Sequence, residues 1–259
     1  MNVASNQEKD SMTSRFKLTG IMSALLLVSV AALYSARGVS AAGEGKITGT
    51  TKLDGTPPHM KPIDMSKEPS CQQIHAAHSV TLENVVVGPN GGLQNVVVYI
   101  SEGLSAGAAG AVSSETPTWD QKGCQYIPHV LALDVNQHFK VVNSDQTSHN
   151  IHPTPNPAGA NHEWNKSQPP GSPPFDVSWT AEEVAVPVKC NIHPWMHGYM
   201  AVVKGPTAVS DGNGAFTVSD VPPGNYTVTA WQEVYGTQTA KVTVAAGKPT
   251  TADFTFKAK

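Results

Sequence analysis

The stretch "DGNGAFTVSDVPPGNYTVTAWQEVYGTQTAKVTVAAGKPTTADFTF", Asp211 to Phe256, decides the fold class. Apolar residues alternate at Phe216 and Val218, at Tyr226, Val228 and Ala230, and at Val242 and Val244. A period of two is the signature of strands with one buried face. Gly-rich and Pro-Pro-Gly clusters between the runs supply the turns.

The same grammar continues upstream. "GKITGTTKLDG", from Gly45, reads as a strand ending in an Asp-Gly turn, and "SVTLENVVVGPNGGLQNVVVYI", Ser79 to Ile100, reads as two strands around Pro-Asn-Gly-Gly. "YIPHVLALDVNQHFKVVNSD", Tyr126 to Asp145, gives two β segments joined at Val135 to Gln137. "FDVSWTAEEVAVPVKC" carries strands to Cys190, and "GYMAVVKG" follows as another. Between these lie "TPPHMKPIDMSKEPS", too proline-rich for a regular element, a small-residue loop over Leu104 to Thr118, and a long loop over Ile151 to Pro174. With 22 Gly and 20 Pro, and no sustained helical period beyond the N-terminal segment, the expected class is all-β.

Arg15 and Lys17 precede an uncharged run from Leu18 to Ala36, and Val39-Ser40-Ala41 or Ser40-Ala41-Ala42 then offers a small-x-small cleavage pattern. Residues 1–42 therefore read as a secretory signal. The run is close to the roughly 20 apolar residues that span a bilayer, so an uncleaved anchor is the alternative and the only membrane attachment expected. Either way the rest is periplasmic or otherwise extracytoplasmic. A net charge of −3 with 14% charged residues gives no reason to expect nucleic acid as a partner.

An oxidising compartment makes an odd cysteine count informative. Cys71, Cys124 and Cys190 are the 3 cysteines. One solution is a Cys71–Cys124 disulfide with Cys190 otherwise employed. Free core thiols, or a second metal site drawing on His75, His78 and His129, remain alternatives, and the lack of a Cys-x-x-Cys-His sequence gives no support to covalent haem.

"KCNIHPWMHGYM", Lys189 to Met200, suggests what Cys190 does. A thiolate donates strongly, imidazole is intermediate and a thioether is soft and weak. Two His, one Cys and a distant Met form the donor set of blue-copper electron-transfer centres. Cys190, His193 and Met196 share one short loop, and the fourth donor must come from elsewhere. "VVNSDQTSHNIHPTP" offers His149 and His152. Three apart on an extended chain, they point to opposite faces, so one of them should face the metal, with His149 the better placed. Structural zinc is a rival, although zinc rarely takes a thioether. His197 and Met200 are spare candidates, expected respectively at the solvent side and in the core.

The segment from Tyr126 through "HNIH" resembles the cupredoxins, and "CNIHPWM" looks like the short copper loop of amicyanin within that family. The resemblance covers roughly Tyr126 to Val203. It implies a Greek-key β-sandwich with one type 1 copper, His149, Cys190 and His193 as strong ligands and Met196 as the weak axial one. It further implies that Asn150 ties the two ligand loops together. His193 would sit at the surface edge of the copper, with Pro194 and Trp195 forming an apolar patch for a redox protein partner.

"SDGNGAFTVSDVPPGNYTVTAW" resembles the carboxypeptidase regulatory-like sandwich, a prealbumin-like fold, and "GKITGTTKLDGTPP" with "GGLQNVVVYI" looks like its opening strands. The expected layout is a regulatory-like sandwich over 46–112 and 207–257, discontinuous around a cupredoxin domain at 119–205, with plain tandem order as the alternative. The expected function is single-electron carriage without catalysis, no acid, base or nucleophile constellation being evident. The rivals are a Cu(I)-holding trafficking protein and a carbohydrate- or protein-binding β module with a vestigial site.

Overall fold

The structure, a computed structural model, describes residues 43–105 and 112–259. The signal or anchor expected over 1–42 lies outside them, as does part of the small-residue loop after Leu104. Among the described residues no helix is long and apolar enough to cross a membrane.

The elements run β1 (Gly45–Asp54), α1 (Pro69–Ile74), β2 (Val97–Glu102), β3 (Thr118–Lys122), β4 (Gln125–Ile127), β5 (Val130–Asp134), β6 (His138–Asn143), β7 (His149–Pro153) and β8 (Lys166–Gln168). They continue with β9 (Phe175–Ser178), β10 (Glu183–Lys189), β11 (His197–Val203), β12 (Thr207–Val209), β13 (Ala215–Val221), β14 (Gly224–Gln232), β15 (Gly236–Val244), β16 (Pro249–Thr251) and β17 (Phe254–Lys257). The described residues are all-β apart from α1 and a single 3-10 turn at Pro89–Gly91.

Alternation along the strands builds two sandwiches. In the first, β13, β1 and β16 form a sheet with β17 also paired to β1, and β12, β2, β14 and β15 form the facing one. Ile47 and Leu53 of β1, Val98 and Ile100 of β2, Phe216 and Val218 of β13, and Tyr226, Val228 and Ala230 of β14 share one buried cluster. The strand near the start of the described chain thus lies in the same sheet as the strand that ends it, Thr51 opposite Phe254 in parallel register.

In the second sandwich, β4, β3, β6 and β9 face β5, β11, β10, β7 and β8. Trp119, Tyr126, Leu131, Leu133, Phe139 and Val141 pack there with Ile151, Val186, Val188, Met200 and Val202. The remaining faces of β2, β14, β5 and β11 meet one another: Val97 and Trp231 pack with Val130 and Ala201. Strands buried on both faces read as continuous apolar runs, which accounts for "VVVYI".

Three expectations need correction. The proline-rich segment after Thr56 contains α1, where Pro69 occupies a first-turn position at which a missing N–H costs nothing. Of the two strands expected between Ser79 and Ile100 only β2 forms. The earlier run makes an isolated bridge, Val87 to Leu93, because Pro89 and the left-handed Asn90 turn the chain there without extending a ladder. The long loop after Ile151 contributes β7 and β8, paired antiparallel with His149 opposite Gln168.

Candidate metal centre

The loop bearing Cys190 is the connection of a β-hairpin. β10 and β11 are antiparallel and close at Lys189 opposite His197, leaving Cys190 to Met196 as the turn. The turn is tied to itself: Cys190 N donates to Met196 O at 2.9 Å, and Met196 N to His193 O at 2.9 Å. β7 lies beside β10, with His152 opposite Lys189, so His149 at its head reaches the same end of the sheet.

His149 and His193 turn their Nδ1 atoms toward each other, 3.0 Å apart, and both rings are fully buried. Cys190 Sγ lies 3.7 Å from His193 Nδ1. The donor atoms of His149, Cys190 and His193 all fall within 4.8 Å of one another. Met196 is buried in the same apolar cluster as Cys190. His152 is committed elsewhere, Nδ1 at 2.8 Å from Asn191 Oδ1 and Nε2 at 2.6 Å from Glu163 Oε1. Met200 is core, and His197 belongs to a separate cluster with His129 and Glu233.

Asn150 joins the two loops. Its Oδ1 accepts from Asn191 N at 2.7 Å and from Cys190 Sγ at 3.3 Å, while its Nδ2 donates to Asn165 Oδ1 at 2.7 Å. Tyr126 Oη donates to the Asn150 carbonyl at 2.5 Å. Burial, and then the charge of Cys190, push the Tyr126 hydroxyl well above the usual phenol range, so it stays a donor.

Asp145 was not anticipated from sequence. Its Oδ2 lies 2.8 Å from His149 Nε2, and its two oxygens accept the Gly123 and Cys124 N–H groups at 2.7 Å each. Burial disfavours its charge, but these hydrogen bonds outweigh burial and hold the carboxyl below its ordinary value. The ionised Asp145 in turn keeps the proton of His149 on Nε2 and leaves Nδ1 as a lone pair facing the centre, the arrangement by which a carboxylate orients a metal-binding imidazole. An Asp four residues before a His was the only sequence signal available for this pairing. Burial also disfavours ionisation of Cys190. The imidazoles of His149 and His193 and the backbone groups of Asn150 and His193 overcome it and bring the thiol down to about 5.

Cys71 and Cys124 form a disulfide. This bond lies against the centre: Cys71 Sγ is 3.7 Å from His193 Nε2, and Glu68 Oε2 is 3.8 Å from the same nitrogen. His193 is therefore not at a surface edge, contrary to expectation, because α1 and its disulfide cover it. Pro194 is exposed, whereas Trp195 is partly buried, its ring 5.3 Å from that of His193 and its indole N–H donating to Cys124 O at 3.1 Å.

The description "carboxypeptidase regulatory-like domain" matches residues 201–257. No curated protein matches the chain. Among solved structures, the chain is similar to a copper-containing nitrite reductase from Thermus scotoductus SA-01 at 19% identity and a TM-score of 0.30, covering 39% of this chain and 25% of that one. The chain thus spans about a quarter of the length of that reductase. It is similar to a purple cupredoxin from Nitrosopumilus maritimus at 21% identity and a TM-score of 0.28, over 33% of this chain and 98% of that one. It is also similar to amicyanin from Paracoccus versutus at 13% identity and a TM-score of 0.30, over 40% and 96% of the respective chains.

Proposed function

We propose that this is an extracytoplasmic type 1 copper protein that carries single electrons between redox partners. One observation carries the reading: two buried imidazoles bring Nδ1 to within 3.0 Å of each other, and Cys190 Sγ lies 3.7 Å from His193 Nδ1, so that the three donor atoms converge on one point. A soft thiolate with two imidazoles suits copper. His149, Cys190 and His193 would hold it, with Met196 as the weak fourth donor. Copper held there would supply one-electron chemistry between its Cu(I) and Cu(II) states.

The chain's own groups do the rest. Asp145 orients His149, and Asn150 fixes Cys190 and the loop that follows it. For His193 to present Nδ1 as a lone pair its proton must sit on Nε2, where Glu68 Oε2 stands 3.8 Å away. The apolar cluster around Cys190 and Met196 excludes water. A redox protein would dock over Pro194 and Trp195, in the weak, low-area manner of electron carriers. The disulfide fits a location outside the reducing cytoplasm. We read the cupredoxin-like part as inserted into the regulatory-like sandwich, and the protein as a carrier rather than a catalyst.

The covered His193 favours a second reading, a protein that holds Cu(I) without turnover. Supplying cupric salt to the metal-free protein distinguishes the two. An intense thiolate-to-copper visible band, lost in Cys190→Ser, is expected. Material that stays colourless but takes up Cu(I) favours holding, and material that takes up neither ends both readings.

A further inference from the structure

A second cluster of donors lies where the two sandwiches meet, built from different residues and independent of the Cys190 centre. His129 precedes β5, His197 opens β11, Glu233 follows β14, and Asn84 comes from the segment before β2. His129 Nε2 is 2.5 Å from Glu233 Oε1, and His197 Nε2 is 3.9 Å from Glu233 Oε2. The donor atoms of His129, His197 and Glu233 lie within 4.8 Å of one another. The Glu233 side chain is only 3% exposed and that of His129 4%, while His197 at 26% leaves a way in from solvent.

The tautomer of His197 is set by its other nitrogen. Nδ1 lies 3.0 Å from the Trp195 carbonyl, which can only accept, so Nδ1 carries the proton and Nε2 points its lone pair inward. The backbone is shaped to let the two histidines meet: a Cβ on Gly198 would stand 2.6 Å from the His129 carbonyl oxygen. The rings then pack edge to face with centroids 5.3 Å apart.

The centre of this cluster is held by one amide. Asn84 Nδ2 is 2.8 Å from Glu233 Oε2 and 3.1 Å from His197 Nε2, so its two protons serve the inward-facing acceptors that a cation would serve. Turned about its bond, the same amide offers Oδ1 as an oxygen donor. A second carboxyl, Glu83, is the chain neighbour of Asn84. Two imidazoles and a carboxylate with further oxygen nearby form a borderline donor set that Zn(II) takes in four-coordinate sites.

We propose that His129, His197 and Glu233, with Asn84 as a fourth donor, form a second metal site that binds a divalent ion of the zinc class and fastens the two sandwiches together. The ligands come from both sides of the junction, so the ion would act as a cross-link between them.

The test uses the full chain carrying His149→Ala and Cys190→Ala, which disables the first centre, after removal of metal with a chelator. Zn(II) is titrated calorimetrically, and bound zinc is counted after dialysis. One equivalent is expected, together with a rise in Tm. Glu233→Gln, which preserves hydrogen bonding, should weaken binding by more than about tenfold. Asn84→Asp should tighten it, since a charged oxygen replaces a neutral amide. The proposal is overturned if the disabled chain retains no zinc, or if Glu233→Gln binds as tightly as its parent. Should Glu233→Gln fail to fold, unchanged affinity in Asn84→Asp overturns it equally.

Discussion

Asn150 joins the two halves of the candidate metal centre through a single oxygen. That oxygen takes the N–H of Asn191 and lies 3.3 Å from the Cys190 sulfur, so it sets both where the loop turns and where the thiol points. Asn150→Ala strips the Asn191 N–H of its partner at a cost of about 1–2 kcal/mol. Urea unfolding of the metal-free protein should register that loss, and an unchanged midpoint would count against the role. A second substitution addresses the thioether. If copper is held as proposed, Met196→Gln offers a harder oxygen donor that favours Cu(II) and should lower the reduction potential, whereas an unmoved potential would remove Met196 from the proposed ligand set. That Cys190 and His193 come together was legible because both lie in one short turn. His149 could be found from its own strand-to-loop context. Asp145 had only its spacing of four residues from His149 to mark it, and Glu68 had nothing, since a carboxylate in a proline-rich stretch carries no mark of the imidazole it will meet.

The six residues of α1 work as a cover rather than as a conventional helix. They are too few to persist alone, because the first helical turn is costly to form. The bond between Cys71 and Cys124 and the burial of Met65 with both cysteines hold them in place. Closing a loop between residues 53 apart removes much of the freedom of the unfolded chain. Replacing both cysteines by alanine should therefore cost about 2–5 kcal/mol, read from chemical denaturation. It should also free the outer nitrogen of His193, which faces Cys71. Faster acylation of His193 by diethyl pyrocarbonate in the metal-free variant, mapped by mass spectrometry, is the expected sign. An unchanged rate would mean that α1 stays seated without the bond. No periodicity in "KEPSCQQIH" announces this element, and its job depends on contacts with residues more than a hundred positions away.

Four sheets lie one upon another, and β2, β14, β5 and β11 each contribute to two cores. Their alternation was readable from sequence, but not the partner of each outer face, because an apolar residue at every position fits any arrangement that buries both sides. Tyr226 shows how the first core responds to pH. Its hydroxyl donates to Pro222 O at 2.8 Å, and burial raises it above the ordinary phenol value. The folded state keeps the proton longer than the unfolded chain does, so stability is full below about pH 10 and falls as pH rises from there through the folded value. Tyr226→Phe should cost about 1 kcal/mol near neutrality and flatten that alkaline decline. A decline equally steep in the variant would assign it to other groups.

The largest consequence concerns the continuity of the first sandwich. β2 ends at Glu102 and β12 begins at Thr207, yet the two strands are antiparallel neighbours with Thr207 opposite Tyr99. The chain therefore leaves and re-enters one sheet at adjacent points, and everything between can be exchanged for a tight connection. Replacing residues 105–205 by a loop of about four residues should leave a chain that folds, since every buried residue of its core lies outside the excised part. The cost falls on the face that loses its cover, where Val97, Tyr99, Val209 and Trp231 become solvent-facing. An uncovered patch of that kind promotes association, so polar replacements at Tyr99 and Trp231 belong in the same molecule. A cooperative thermal transition with a β-type circular dichroism spectrum is the expected result. A shortened chain that melts without cooperativity, even with the patch made polar, would show that the first sandwich depends on the residues removed.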